Sequence, residues 1–317
     1  NKCAFSAREN DLTLIGPALV TNTPEPFFPI TSFGYFGGGL PAQSRIDRIN
    51  FNNDTVTAVE KGKLSANRFY AAATGNSSFG YFGGGIGPLS SVDRIDYSND
   101  TAEALAKGPL SLARYYAGAV GNSSFGYFAG GDPGSVSTVD RIDYSNDTAT
   151  AAVKGPLSST RQTTAGTGNA DFGYITGGWV SVSTVDRIDY SSDTGTAPAK
   201  GPLDVGVGRH AATGNANFGY IGGGYPAKST VQRIDYSNDT ADASPKGPLS
   251  AGRDQLSATG NASFGYFSGG DPAPTAGKLI DRIDYSNDTA TALVKGSFDV
   301  EKRWSAACSA AANALPQ

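Results

Sequence analysis

From Arg68 to Leu110 the chain alternates short apolar runs with polar breaks. "RFYAAAT" gives way to "GNSS", "FGYFGG" to a loop containing Gly and Pro, "SVDRIDYS" to "NDT", and "AEALAKG" to "PLS". Tyr, Phe, Ile and Val favour extended backbone, and Gly, Asn, Asp and Pro favour the turns between such runs. The pattern predicts four short strands. No window sustains a helical apolar period with capping signals, so helices are not expected.

The same unit recurs six times. "FGY" begins at Phe33, Phe79, Phe125, Phe172, Phe218 and Phe264, at spacings of 46, 46, 47, 46 and 46 residues. The third run begins at Ile46, Val92, Val139, Val185, Val231 and Ile280. Lys-Gly occurs at Lys61, Lys107, Lys154, Lys200, Lys246 and Lys295, and an arginine follows each time: Arg68, Arg114, Arg161, Arg209, Arg253 and Arg303. Four strands in a repeat of this length describe a propeller blade. "GYFGGG", a Tyr-bearing strand and an arginine before the next unit resemble a kelch-type propeller, over residues 33 to about 310. The diglycine of that resemblance falls at Gly37–Gly38, Gly83–Gly84, Gly130–Gly131, Gly177–Gly178, Gly222–Gly223 and Gly269–Gly270. The fourth strand lacks the Trp usual in kelch units. "DRIDYSNDTATA" and "KGPLS" are also similar to repeats in uncharacterised marine bacteriophage proteins, a resemblance that implies no site residues.

The repeats are out of phase with the ends of the chain. The first unit has only second, third and fourth strands, and "EKRWSAACSAA" reads as a first strand alone. Joining the two predicts an all-β fold, a six-bladed β-propeller of four-stranded antiparallel blades whose ring is closed by the C-terminal strand. Cys308 then takes the place of Ala73. A first strand drawn from residues 19–31 is the rival, but "TNTPEPFFP" is too Pro-rich for a central strand. The expected organisation is an extension over 1–30, the propeller over 31–310 and a tail over 311–317. The extension's apolar run "LTLIGPALV" could pack on its own disc or dock on a neighbouring subunit by strand addition.

The third strand carries charge. Arg48, Arg94, Arg141, Arg187, Arg233 and Arg282 recur in every copy, flanked by Asp in most. Six equivalent sites around a ring cannot converge on one substrate, so these arginines read as ion pairs and hydrogen bonds between blades. "SNDT" reads as a turn closed by its own side chains. "SSDTGTA" faintly resembles the Asp-box turn of sialidases, without its final Trp. The turns hold glycosylation sequons at Asn53, Asn76, Asn99, Asn122, Asn146, Asn238, Asn261 and Asn287, all at one end of the disc in this topology. In a secreted eukaryotic protein that end would be sugar-coated; otherwise the turns simply favour Asn and Thr.

Composition narrows the function. The net charge of −4 with no basic block gives no footprint for nucleic acid. No apolar run is long enough to span a membrane. Met is absent and the chain begins at Asn1, which suggests a processed chain that has lost a signal peptide. Cys3 and Cys308 are expected to form a disulfide between the two ends, as in an oxidising compartment. The expected location is extracellular or on a virion surface.

A single binding site must break the six-fold symmetry. The most varied segments join strands two and three: "GLPAQSR", "GIGPLSS", "GDPGSVST", "GWVSVST", "GYPAKST" and "GDPAPTAGKL". Trp179 and Tyr225, in adjacent blades, are candidates for stacking on sugar rings or anchoring a protein. Asp132, Asp271 and Lys228 are candidate polar contacts. Enzyme chemistry has little to use. His210 is the only histidine and stands where other copies carry Tyr, Phe, Gln or Asp, so neither a metal cluster nor a galactose-oxidase-like copper site is expected. No cofactor is expected. The reading is a non-enzymatic structural or binding module for a glycan or a protein. The alternatives are a hydrolase or lyase using two aspartates, and an intracellular kelch-like adaptor.

Overall fold

The computed structural model describes residues 32–272 and 276–311. The extension with Cys3 and its apolar run, part of the sixth strand-two to strand-three loop and all of the tail except residue 311 lie outside the described residues. The fold is the six-bladed β-propeller expected from the repeat. Strands Phe33–Gly37, Arg45–Asn50 and Val59–Lys63 form blade one, and the C-terminal strand Ala306–Ser309 completes it by pairing Tyr35 with Cys308 and Phe36 with Ala307. Residues 72–107, 118–154, 211–246 and 257–297 form blades two, three, five and six, each of four antiparallel strands. In blade four the fourth strand is reduced to a bridge between Asp186 and Ala199. Pro198, which has no N–H to give to a ladder, stands beside it. The first strands line the axis in a closed ring.

Among the described residues there are six cores rather than one, each lying between two blades. Tyr127, Val139 and Leu157 of blade three pack on Ile175, Ile188 and Tyr190 of blade four, and the pattern repeats around the ring. The tyrosine of each "FGY" stacks on the aromatic that follows the next blade's third strand, as Tyr127 does on Tyr190 at 5.0 Å. Phe51 replaces that tyrosine only where blade six meets blade one.

One latch explains most of the recurring polar residues. The third-strand arginine reaches the Asp of the next blade's "NDT" turn: Arg48–Asp100, Arg94–Asp147, Arg141–Asp193, Arg187–Asp239, Arg233–Asp288 and Arg282–Asp54, at 2.7–2.9 Å. The arginines also lie over the "FGY" phenylalanines, as Arg141 does over Phe125 at 4.3 Å. Each aspartate receives three more groups from the same preceding blade. For Asp193 these are the Tyr127 hydroxyl at 2.9 Å, Lys154 Nζ at 3.1 Å, and the Gly155 N–H, which donates to the Asp193 carbonyl at 2.9 Å. Gly155 must be glycine, because a Cβ there would lie 1.8 Å from the Gly195 carbonyl oxygen. Thus "FGY", "R", "KG" and "NDT" are four parts of one interblade contact.

A second buried pair anchors each linker. Arg68, Arg114, Arg161 and Arg253 donate to Asp93, Asp140, Asp186 and Asp281, the aspartates that precede the third-strand arginines. Lys302 holds Asp47 at 2.8 Å in blade one. Two arginines of the expected series therefore fall outside it. Lys302, not Arg303, occupies the column in blade one, and Val207, not Arg209, occupies it in blade five. The aspartate opposite Val207 is replaced by Gln232, which bonds the Val205 backbone instead.

Three further expectations are corrected. The first strand of blade two starts at Ala72 rather than Arg68, because Tyr70 has a φ of 61° and breaks the extended run. The turn glycines after strand two are Gly38–Gly39, Gly84–Gly85 and Gly223–Gly224, one residue later than expected in these three blades, and all six residues have positive φ. Cys308 takes the place of Thr74 rather than Ala73, since Thr74 pairs with Tyr81 as Cys308 pairs with Tyr35.

That position points between blades, so Cys308 carries a free thiol. Its sulfur is packed over Gly80 and Tyr97, and burial pushes the thiol up to about 12. The expected bridge to Cys3 is not part of this arrangement. The same column is threonine in blades two, four, five and six and Val120 in blade three; Thr74 bonds the next blade's Tyr144 at 3.2 Å and Thr167 bonds Tyr236 at 2.8 Å. The Tyr97 hydroxyl lacks such a partner. Cys308→Thr is expected to raise stability by about 1 kcal/mol, read from the denaturation midpoint at unchanged slope. An equal or lower midpoint would show that the sulfur is the better fit.

Candidate functional site

The repeat stops being symmetrical at one end of the axis. Each linker enters its blade through a residue with left-handed backbone: Tyr70, Tyr116, Thr163, Arg209, Gln255 and Trp304, with φ between 55° and 62°. Non-glycine residues rarely adopt this conformation, and here tertiary hydrogen bonds hold it. The Tyr116 N–H donates to the Tyr70 carbonyl, Tyr70 to Trp304, Trp304 to Gln255 and Gln255 to Arg209, at 2.8–3.1 Å. These bonds link five of the six linkers around the axis, and the six positions bring five kinds of side chain to one mouth.

Three of those side chains pack on one another, Tyr70 edge-to-face on Trp304 and the other two pairs tilted. Tyr70 lies 4.3 Å from Tyr116 and 4.7 Å from Trp304, and Tyr116 lies 4.8 Å from Trp304, between ring centroids. Arg209 faces them across a cavity of about 60 Å3. Below the mouth runs a channel of about 120 Å3 between the first strands, lined by small residues such as Ala73, Ala119, Ala212 and Ala258.

A second ring surrounds the first: Phe69, Tyr115, Gln162, Gly208, Asp254 and Arg303. Its carbonyls fasten the loops between strands two and three. They accept from the N–H of Ile86, Asp132, Trp179, Tyr225, Asp271 and Leu40 in turn, at 2.7–3.0 Å. Trp179 and Tyr225 are therefore equivalent positions on neighbouring blades. Gly208, the one residue of the second ring with no side chain, leaves the space between them open. The result is a cleft of about 150 Å3 walled by Trp179, Val180, Ser181, Gly208, Tyr225 and Pro226. Trp179 is 44% exposed and Tyr225 53%. Val180 and Ser181 at its rim also have positive φ, 66° and 62°.

Arg209 joins the cleft to the mouth. Its guanidinium lies 4.4 Å from the Trp179 ring centroid, 5.0 Å from Tyr225 and 5.8 Å from Trp304. Its ion pair with Asp254 is long, at 3.5 Å. Burial pushes the Asp254 carboxyl up, against the opposing pull of Arg209.

The remaining candidates are engaged by the neighbouring linkers. Asp132 accepts from the Tyr115 hydroxyl and from the Gly134 N–H. Asp271 accepts from Arg303 at 3.2 Å, and Lys228 Nζ donates to the Gly206 carbonyl at 2.9 Å. His210 belongs to the column of Ala71, Ala117, Thr164, Leu256 and Ser305, one step inward of the mouth residues, and so not to the Tyr, Phe, Gln and Asp of its expected place. Its Nε2 meets Thr176 Oγ1 at 2.9 Å, and burial lowers it to about 3, so the ring stays neutral. No group of three or more His, Cys, Asp or Glu is gathered among the described residues. No helix among them is long and apolar enough to cross a membrane. The eight sequons lie in turns at the opposite end. Asn53, Asn99, Asn146, Asn238 and Asn287 are exposed there, while Asn76, Asn122 and Asn261 accept backbone N–H bonds from the residues that follow them.

Arg209, Trp304, Tyr70 and Tyr116 are absent from the sequence-based candidates, although a signal for them exists. The distance from the Lys of Lys-Gly to the Asn of the next "GN" is 15 residues in the five copies that have it. Counting from that lysine, rather than anchoring on the next arginine, assigns Val207 to the buried column and Arg209 to the mouth. Compared with protein-family models and with curated proteins, the chain matches none.

Proposed function

We propose that the protein is a non-enzymatic binding module that takes a glycan at the mouth formed by the strand-two to strand-three loops, outside the cell or on a virion surface. The observation that carries this reading is the pair of exposed rings, Trp179 and Tyr225, that wall one cleft with Gly208. Flat aromatic faces beside an apolar floor suit the C–H faces of a sugar ring, and Ser181 and Arg209 offer donors at the edge. Two points count against carboxylate catalysis: Tyr115 holds Asp132 and Arg303 holds Asp271. The free thiol of Cys308 removes the disulfide argument for an oxidising compartment, so the sequon-bearing end is what supports an exterior location.

The two tryptophans of the chain, Trp179 and Trp304, both stand at the mouth, so tryptophan emission, excited apart from the tyrosines, reports on this site. Titration with a panel of oligosaccharides is expected to shift that fluorescence saturably. Trp179→Ala is expected to weaken binding by about tenfold or more with little change in melting temperature, since nearly half of the residue is exposed. A full panel with no response by fluorescence or calorimetry would reject the glycan reading and turn the search to a protein partner.

A further inference from the structure

We infer that the glycan taken at this mouth bears a carboxylate, which the Arg209 guanidinium receives while a sugar ring stacks in the Trp179–Tyr225 cleft. The inference rests on the carbohydrate reading above. It starts from the work Arg209 does not do. In four blades an arginine of the linker is spent on the buried aspartate of strand three, and in blade one a lysine is. In blade five that position is Val207, and Gln232 has taken the place of the aspartate. Both halves of the buried pair are neutral in this one blade, and the linker's cation stands two residues later, at the mouth.

There the guanidinium is positioned but not satisfied. Trp179 and Tyr225 hold it over their rings, at 4.4 and 5.0 Å, and neither contact uses up its N–H donors. Nη1 has only the 3.5 Å contact with Asp254. Nη2 makes no hydrogen bond among the described residues, and the side chain is 23% exposed. Arg209 is also the only charged residue of the six that face the axis. The nearby cations are engaged, Arg303 on Asp271 and Lys228 on Gly206. A planar fork with a free arm, flanked by aromatic rings, suits a carboxylate better than a hydroxyl.

The test uses the intact protein and two matched pairs of probes: tri-galacturonate against its methyl ester, and sialyllactose against lactose. Affinity is read by tryptophan fluorescence and by calorimetry. In at least one pair the acid is expected to bind about tenfold more tightly than its neutral partner, by the strength of a charge-assisted bond, and the preference should shrink at high salt. Arg209→Gln should erase the preference and leave binding of the neutral sugar in place, and Arg209→Lys should keep part of it. Equal binding of acid and neutral sugar in both pairs overturns the carboxylate inference and leaves the glycan reading standing. If Arg209→Gln abolishes binding of the neutral sugar too, Arg209 acts by holding the rings and the direct contact is rejected. No binding of any probe, with the wider panel also silent, sinks both.

Discussion

Asp193→Ala is expected to destabilise the ring by about 3–5 kcal/mol, the range found when one partner of a buried ion pair is removed. The substitution takes the acceptor from the Tyr127 hydroxyl and leaves Arg141 and Lys154 without their counter-charge in a site where Asp193 is almost wholly covered. Asp143→Ala is the control. That aspartate only closes an exposed turn, through Ser145, and should cost about 1 kcal/mol. Chemical denaturation of the two variants decides the matter; similar losses would mean that the latch contributes register but little stability.

The same latch sets the acid limit. In Asp193, Asp239 and Asp288 burial alone would raise the carboxyl, but the tyrosine hydroxyl and the paired cations outweigh it and hold each below the ordinary range. A depressed folded-state value means that the unfolded chain takes up protons first. The contribution is therefore complete above the unfolded carboxylate value of about 3.9 and is lost as pH falls through the folded values. The melting temperature is expected to hold down to about pH 4 and then fall steeply, and less steeply in Asp193→Ala, which has one fewer such group. Equal slopes would separate acid unfolding from the latches.

Ending the chain at Glu301 is expected to have the other large effect. It removes the strand Ala306–Ser309 from blade one, uncovers Tyr35 and Phe36, which are fully buried, and strips Asp47 of Lys302. It also opens the ring of first strands, and takes Ala306, Cys308 and Ala310 from the core shared by blades one and two and Ala307 from that shared by blades one and six. A loss comparable with the whole stability of a domain, about 5 kcal/mol or more, should appear as loss of the cooperative thermal transition and rapid proteolysis between blades. Adding residues 302–311 back as a peptide should restore part of the protection. A shortened chain that melts like the intact one would mean that closure contributes nothing to stability.

Much of this was readable before any coordinates. Apolar runs, turn residues and the near-constant repeat specified blade, blade number and closure, because every copy repeats the same local preferences and only a ring satisfies six identical faces. The third-strand arginines were recognisable as interblade residues by symmetry alone. Their partners were not. The flanking aspartates look like the natural choice, yet strand alternation turns Asp93 toward the linker at Arg68, while Arg94 reaches Asp147 in the next blade.

At the mouth, the sequence by itself determined that Trp179 and Tyr225 stand in equivalent, variable loops of neighbouring blades, since loop identity follows from the repeat. Only the tertiary structure decided that Gly208 opens a cleft between them, that Arg209 stands against both rings, and that Tyr70, Tyr116 and Trp304 meet across the axis. The physical reason is distance along the chain. Residues 70 and 304 belong to opposite ends of the sequence and touch only because the ring closes. The left-handed backbone that aims them inward is held by hydrogen bonds from the neighbouring linkers, not by any local preference of Tyr, Arg or Trp.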